Sequence, residues 1–176
     1  MKLRGLKIED AEHMLSWMKD DFVTHDLKTN FREKTLEDCI AFIQNSYKNE
    51  VNWHLAIVDE NDIYMGTVSL KEINAFKQCA EFAITVKRNA MGKGYAKYAI
   101  NSMFALGFKK MNLDKIYWSV SPENQRAIRF YDKNGFQQFP IVEDKELYEQ
   151  VIASGYSEEE VYIYLWYLVK NPKRKI

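Results

Sequence analysis

The chain has 176 residues, and its 25 lysines and arginines are balanced by 25 aspartates and glutamates, which gives a formal net charge of zero at pH 7. This balance provides no global field that would favour nucleic acid or an anionic membrane surface as a partner. Hydrophobic residues make up 47% of the chain and charged residues 28%, as is usual for a soluble globular protein. We expect residues 1–176 to form one domain with a substantial core.

Residue types that bind metals are few and scattered along the chain. The two cysteines and the three histidines occur singly, at Cys39, Cys79, His13, His25 and His54. Because there is no Cys-x-x-Cys pair and no Cys/His cluster, the sequence predicts no metal site, and the isolated cysteines favour a reducing compartment.

Nothing in the sequence predicts a targeting or membrane-spanning segment. Residues 1–5 contain no apolar h-region, so no signal peptide is expected. The apolar run Val161–Val169 is too short to cross a bilayer, and its aromatic and β-branched residues favour a strand buried on both faces. The expected location is the cytoplasm.

The first half of the sequence alternates strands with amphipathic helices. Apolar residues at helical spacing predict a helix over residues 9–19. A second helix is predicted to begin at Thr35, because Thr35 and Asp38 resemble a capping box. The predicted strands of this half are residues 2–6, 52–58, 63–72 and 81–86, the last three forming a meander.

In the second half, a glycine-punctuated turn leads from the third strand of the meander into a long amphipathic helix. A short helix further on is expected to end at Asn134-Gly135, since glycine readily adopts the left-handed conformation of a C-cap. The other predicted elements are strands at 115–120, 136–140 and 161–170 and a helix at 145–153. Together these elements predict a mixed α/β sheet with helices on both faces.

The glycine-punctuated turn has the chemistry of a phosphate site. It reads Lys87-Arg88-Asn89-Ala90-Met91-Gly92-Lys93-Gly94. A turn between a strand and a helix N-terminus presents unpaired N–H groups and the positive end of the helix dipole. Two glycines also let the backbone approach a ligand closely. We therefore expect a phosphorylated cofactor on the amides of residues 92–96, the alternative being an ordinary strand-to-helix turn that contains two glycines.

Two motifs, separated by one helix and one strand, resemble those of a known family. Residues 89–94 align with a phosphate loop that reads Gln/Arg-x-x-Gly-x-Gly/Ala. The first position differs from this pattern, because it is Asn89 rather than Gln or Arg, and the arginine stands one residue earlier, at Arg88. Residues 124–136 resemble the signature Asn-x-x-Ala-x-x-x-Tyr-x-x-x-Gly-Phe. This pair of motifs is similar to that of the GNAT (Gcn5-related) superfamily of acyl-CoA-dependent N-acetyltransferases, and the resemblance extends loosely over most of the chain.

The resemblance implies the GNAT acyl-CoA N-acyltransferase fold, an α/β (α+β) fold. Such a fold has a mixed sheet of six to seven strands with helices on both faces and a V-shaped splay between strands 4 and 5. Acetyl-CoA, the implied co-substrate, would lay its pantetheine arm in the splay, as in strand addition. The residues implied to bind it are Ile84, Thr85, Val86, Met91, Gly92, Lys93, Gly94, Tyr95, Ala96, Asn124 and Tyr131. The resemblance implies no metal.

Glu81 and Tyr131 are the implied catalytic residues. Amide formation needs a neutral amine, and a free amine with a pKa near ~10 is almost fully protonated at neutral pH. Glu81 would remove that proton, directly or through a water, with Glu72 as the second candidate, and Tyr131 would protonate the leaving thiolate. Structural alternatives stay open: Glu81 as a solvated or salt-bridged carboxylate and Tyr131 as a core residue. Asn124 is equally well placed to cap a helix, a role compatible with contact to the cofactor.

The implied activity is transfer of the acetyl group of acetyl-CoA to a primary amine. The acceptor would be a small-molecule amine, an amino sugar or a protein N-terminus, and transfer would be direct, since no cysteine lies in either motif. A CoA-binding regulatory module without turnover is the alternative. A Rossmann-type nucleotide site is disfavoured, because Lys97 stands where its fingerprint has a last glycine. A homodimer is left open.

Overall fold

The computed structural model describes residues 1–173. These residues build a six-stranded sheet in which the order in space follows the order in the chain. The strands are β1 (Lys2–Gly5), β2 (Trp53–Val58), β3 (Tyr64–Asn74), β4 (Cys79–Val86), β5 (Lys115–Val120) and β6 (Leu165–Lys170). All neighbouring strands are antiparallel except β4 and β5, which are parallel.

The α-helices of the described residues are α1 (Ala11–Met18), α2 (Asp21–Thr24), α3 (Leu36–Ser46), α4 (Tyr95–Lys109), α5 (Gln125–Lys133), α6 (Lys145–Ala153) and α7 (Glu158–Ile163). Helix α3 begins with the predicted capping box: the Thr35 hydroxyl accepts from the Asp38 amide at 3.2 Å, and the Asp38 carboxylate accepts from the Thr35 amide at 2.8 Å. In residues 1–173 no helix is both long enough and apolar enough to cross a membrane.

Helices cover both faces of the sheet, as the sequence predicts. Along β5, Trp118 joins the core that includes α4 and α5, whereas the preceding Tyr117 packs with α6 and α7 on the other face. Along β2, Ile57 belongs to the first core, whereas Val58 packs with α1 and α3. Successive side chains of a strand point to opposite faces, which produces this division.

Strands β4 and β5 pair only where they begin. Their register joins Cys79 to Lys115, Ala80 to Ile116 and Glu81 to Tyr117. Beyond these pairs β4 continues along β3, and β5 continues along β6. The predicted splay between strands 4 and 5 is therefore confirmed, and it leaves two strand edges facing each other that an extended ligand could enter.

Two predictions near the C-terminus are wrong. Residues 136–140 form no strand: they contribute one isolated bridge, between Gln138 and Tyr167. Pro140, which has no N–H to donate, ends the pairing, and a 3₁₀ turn follows at Ile141–Glu143. The strand predicted from residue 161 begins only at residue 165. The sheet consequently has six strands, the lower of the two predicted numbers.

A helix cap explains why residues 161–163 are not extended. The Ser157 side chain accepts from the Glu160 amide at 3.1 Å, and the Glu160 carboxylate accepts from the Ser157 amide at 2.8 Å. This capping box begins α7, which continues through Ile163. Local capping and packing outweigh the β propensity of the apolar run.

Candidate active site

The first of two clefts, which we call the cofactor cleft, lies beside the end of β4 and the start of α4. It has a volume of about 470 Å³. Its walls include nine of the residues expected to bind the cofactor: Ile84, Thr85, Val86, Met91, Gly92, Gly94, Ala96, Asn124 and Tyr131. The other two, Lys93 and Tyr95, do not line it: the Lys93 side chain is exposed, and the Tyr95 ring is buried in the core beneath α4.

The turn before α4 has the backbone geometry that an anion site needs. Gly92 and Gly94 have φ angles of +73° and +87°, in the left-handed region that glycine adopts without strain. Gly94 is the N-cap of the 15-residue helix α4. Within residues 1–173, none of the N–H groups from residue 92 to residue 96 donates to a backbone carbonyl. These free donors lie at the positive end of the helix dipole, where a phosphate is stabilised.

Three positive side chains of the described residues line the cofactor cleft, and one of them is already engaged: Arg126 donates to a carbonyl oxygen of α2 at 2.8 Å. Arg88, in the turn before α4, does not line the cleft and donates to the Asp20 carboxylate at 2.9 Å. Lys97 and Lys133 line the cleft, and in the described part of the chain neither forms an ion pair. The sequence motifs did not indicate these two lysines, because Lys97 lies beyond the glycine turn and Lys133 occupies a variable position of the second signature.

A second cleft, which we call the acceptor cleft, has a volume of about 680 Å³ and lies on the sheet face that α1 and α3 cover. Side chains of β3, β4 and β5 line it, together with residues of the segment 26–34. Six residues line both clefts: Leu27, Ile84, Thr85, Asn124, Ala127 and Tyr131. The two clefts therefore meet at the splay between β4 and β5.

Tyr131 lies at this junction. It is 6% exposed, and its ring packs 5.2 Å from that of Trp118 and 5.0 Å from that of Tyr167, measured between ring centroids. Burial, with a smaller contribution from Tyr167, raises the pKa of Tyr131 above its usual range, so the phenol keeps its proton at neutral pH. Among the described residues its hydroxyl has no hydrogen-bond partner. The side chain is thus a core residue that also lines both clefts and keeps its phenolic proton.

Asn124 caps α5, as the structural alternative predicted. Its side-chain oxygen accepts from the Ala127 amide at 3.0 Å. The same residue lines both clefts and is 6% exposed. Its side-chain amide group, which the cap does not use, stays available as a hydrogen-bond donor at the junction.

Glu81 is a buried carboxylate in the wall of the acceptor cleft, with 6% of its surface exposed. Its pairing with Tyr117 is the last one that joins β4 to β5. The Tyr156 hydroxyl donates to its Oε1 at 2.7 Å, and the Lys71 ammonium lies 3.6 Å from its Oε2. The Glu81 carboxylate is therefore not exposed to solvent at the end of a strand. It forms a salt bridge with Lys71, as one of the structural alternatives predicted, but it does so in the wall of the acceptor cleft. Glu72 lies in a bulge of β3 with a φ of +50° and lines neither cleft.

Three residues near Glu81 are absent from the site predicted from the sequence: Tyr156, Ser119 and Lys71. Lys71 could have been found, because strand pairing places it opposite Glu81. Tyr156 comes from a turn 75 residues away and is brought to Glu81 only by the tertiary fold.

His54 also lines the acceptor cleft but is a poor candidate for the base. Its Nδ1 lies 2.7 Å from the Ser69 hydroxyl. Burial, together with the charge of Lys71, lowers the pKa of His54 to about 4. An imidazole with so low a pKa accepts a proton weakly at neutral pH.

The low pKa of His54 predicts a loss of stability in mild acid. The unfolded chain takes up a proton on His54 near pH ~6.5, whereas the folded chain does so only near pH 4. The free energy of unfolding should therefore fall as the pH drops between these values, by up to roughly 3 kcal/mol from this group. Urea unfolding at several pH values tests this, with His54→Gln as the comparison. A His54→Gln variant with the same pH dependence as the wild type would contradict the assignment.

The glycine turn gives a direct test of the cofactor cleft. Replacing Gly94 with valine should remove the thermal stabilisation that CoA gives, because a branched side chain at a φ of +87° distorts the turn. The strain itself should cost about 1–2 kcal/mol of stability in the free protein. Gly135→Val is the matched control, since Gly135 has a φ of +80° and a Cβ there would meet no atom within 4 Å, while a Cβ at Gly94 would meet the Met1 side chain at 3.7 Å, an ordinary contact. Equal stabilisation of both variants by CoA would exclude the turn as the pyrophosphate site.

Comparisons with known proteins identify the family of the chain. A family model described as an acetyltransferase (GNAT) domain matches residues 1–137. The uncharacterized N-acetyltransferase p20 of Bacillus licheniformis is 30% identical over 149 residues, which cover 83% of this chain and 84% of that protein. The spermidine N(1)-acetyltransferase of Vibrio cholerae is 33% identical over 109 residues, which cover 62% of this chain and 60% of that protein.

A solved structure extends the likeness in fold. The spermidine N-acetyltransferase from Vibrio cholerae in complex with CoA and spermine superposes with a TM-score of 0.77 over 98% of this chain and 96% of that chain. Its sequence identity is 22%, so this likeness concerns the fold alone. The family match over most of the chain is decisive for identity: the chain belongs to the GNAT family and is an N-acetyltransferase that uses acetyl-CoA as co-substrate.

Proposed function

We propose that acetyl transfer takes place where the two clefts meet, with Glu81 as the general base and Tyr131 as the general acid. The observation that carries the proposal is the shared wall. Tyr131 and Asn124 line both clefts, whereas the Glu81 carboxylate lies in the acceptor cleft alone. A base on the acceptor side and an acid at the junction are the positions that the two proton transfers require.

The cofactor cleft fits the parts of acetyl-CoA. The free amides of residues 92–96 suit the pyrophosphate, and the unpaired edge of β4 at residues 84–86 suits the amides of the pantetheine arm. Lys97 and Lys133 are cations without ion pairs in the described chain, and they suit the remaining phosphate charge. The thioester of acetyl-CoA supplies the activated acetyl group.

The two proton transfers then follow from the chemistry of the residues. Glu81 accepts a proton from the ammonium form of the acceptor, which frees the lone pair that attacks the acetyl carbonyl. Tyr131 donates its phenolic proton to the sulfur as the bond between sulfur and carbon breaks. As the amide forms, the nitrogen gives up its second proton, which restores the Tyr131 phenol, and Glu81 releases its proton to solvent. Of the two protons that the ammonium group loses overall, one is thus balanced by the proton on the CoA thiol and one ends in solvent.

We propose a small-molecule primary amine as the acceptor. The relatives from Vibrio cholerae and Escherichia coli that are named spermidine N(1)-acetyltransferases support this class and make a polyamine the first compound to test. Three lysines (Lys28, Lys34 and Lys71) and three acidic residues (Asp26, Asp38 and Glu81) line the acceptor cleft. Because the charges of these six residues balance, the lining does not favour a polycation over an acceptor with a single amine, and both belong in the same test.

An acceptor screen tests the proposed function. Release of free thiol from acetyl-CoA is measured with spermidine, an amino sugar, simple monoamines and a peptide with a free α-amine. We expect release that depends on one of the small amines and N-acetylation of that amine by mass spectrometry. Release with the peptide alone would contradict the proposed acceptor class. Tight CoA binding without turnover on any amine would instead favour a regulatory module.

We also propose that residues 1–176 act as one acetyltransferase domain, although the family match ends at residue 137. Strand β6 pairs with β5 along its whole length, which supports one common sheet.

A homodimer in the cytoplasm is the state we propose, with the buried free thiols of Cys39 and Cys79 in keeping with a reducing compartment. A related structure is named a dodecameric spermidine N-acetyltransferase. Light scattering on the purified chain distinguishes a dimer from a monomer or a larger assembly.

A further inference from the structure

Tyr156 belongs to a part of the chain that the family model, ending at residue 137, does not reach. It lies in the turn between α6 and α7, directly after Gly155, whose φ is +106°. The Tyr156 amide donates to the Val151 carbonyl at 3.3 Å, which ties the turn back to α6. This turn returns the Tyr156 side chain to the sheet, where it lines the acceptor cleft.

The Tyr156 hydroxyl connects two residues of the sheet. It donates to Glu81 Oε1 at 2.7 Å, and the Ser119 hydroxyl lies 3.0 Å away on its other side. A phenol has one proton, and the ionised Glu81 carboxylate can only accept. The hydrogen bonds are therefore directed from Ser119 to Tyr156 and from Tyr156 to Glu81. A bond to an ionised acceptor at this distance is among the stronger ones in proteins.

The Tyr156 ring is itself fixed by its neighbours. The Lys28 ammonium lies 3.8 Å from the ring centroid and pairs with Glu160 at 2.9 Å. The Trp166 ring packs against it with centroids 5.1 Å apart. Burial and the charge of Glu81 raise the pKa of Tyr156, so it stays a donor throughout the neutral range. The hydroxyl is thus a rigid donor rather than a mobile surface group.

We propose that Tyr156 is a positioning residue that holds the Glu81 carboxylate in the orientation needed to deprotonate the acceptor amine. The inference rests on the proposed role of Glu81 as base. Tyr156 holds Oε1 while Lys71 lies beside Oε2, so the carboxylate cannot turn freely about its last torsion. A base that is held in one orientation accepts the proton without first having to be reoriented.

Tyr156→Phe tests this, because it keeps the ring that Lys28 and Trp166 contact and removes only the hydroxyl. The expected result is a roughly tenfold to hundredfold fall in kcat, the range of a hydrogen bond to a charged group. The KM for acetyl-CoA and the melting temperature should change little. Ser119→Ala should lower kcat by a smaller factor, because it removes the group that orients the Tyr156 proton. Tyr162→Phe is the matched control, since Tyr162 belongs to α7 and is 73% exposed; it should behave as the wild type.

A double-mutant cycle separates a role through Glu81 from any other role. Each variant is assayed with acetyl-CoA and the amine of the screening panel that has the highest kcat/KM. If Tyr156 acts through Glu81, adding Tyr156→Phe to Glu81→Gln should lower kcat no further. Two outcomes would overturn the positioning role of Tyr156 while leaving Glu81 as the base. One is a double variant whose fold-loss in kcat is the product of the two single losses. The other is a Tyr156→Phe variant with wild-type kcat when the kcat of Glu81→Gln is impaired. A wild-type kcat in Glu81→Gln would overturn the role of the base itself and this inference with it.

Discussion

Turnover of Glu81→Gln at neutral pH is expected to fall on the order of a hundredfold or more, because the variant cannot take the proton from the acceptor ammonium. Part of the loss should be recovered at high pH, where more of the acceptor is a free amine. The shape of the side chain is kept, and the glutamine oxygen can still accept from the Tyr156 hydroxyl. The measurement is the dependence of kcat/KM on pH for the variant and the wild type.

Glu72→Gln is the matched control for this experiment. Glu72 is the other carboxylate that the sequence offers as a base, but it lies in a bulge and lines neither cleft. It should have wild-type turnover and an unchanged pH profile. If Glu81→Gln behaves like the wild type and Glu72→Gln is impaired, the base has been assigned to the wrong carboxylate.

Tyr131→Phe is the second substitution with a large expected effect. It keeps the ring packing against Trp118 and Tyr167 and removes the proton, so turnover should fall on the order of a hundredfold. Since burial raises the pKa of Tyr131, the wild type should show no loss of activity from its ionisation as the pH rises through the neutral range. CoA affinity and melting temperature should stay close to those of the wild type.

Melting temperature and kcat are measured on the same preparation of Tyr131→Phe. Tyr98→Phe serves as the control, because Tyr98 lies on α4 with 37% of its surface exposed. A Tyr131→Phe protein that melts early but turns over normally per folded molecule would assign Tyr131 to the core and end its role as general acid.

Elements with strong local signals could be predicted from the sequence. Strand Lys115–Val120 and helix Lys145–Ala153 have the predicted bounds, and the capping box at Thr35 forms. The positive φ angles of Gly92 and Gly94 fit the anion-binding turn that the motif predicts. These features depend on neighbouring residues, so a local pattern is sufficient to find them.

Features that depend on distant contacts could not be predicted. The run from Val161 has β propensity, but the cap at Ser157 and packing in the core with Trp166 place its first residues in a helix. Tyr156 reaches Glu81 only because the turn after α6 folds back onto the sheet. No periodicity or motif in the sequence connects residues so far apart, which is why the surroundings of the candidate base emerge only from the structure.

A crystal structure of the chain with CoA would show whether transfer takes place where the two clefts meet. We expect the pyrophosphate to lie on the amides of residues 92–96 and the pantetheine arm to run along β4. The sulfur should lie roughly 3–4 Å from the Tyr131 hydroxyl, with the acceptor cleft and Glu81 open beside it. A sulfur held away from Tyr131 would contradict the role of Tyr131 as general acid, and a pyrophosphate bound away from the glycine turn would contradict the proposed cofactor site.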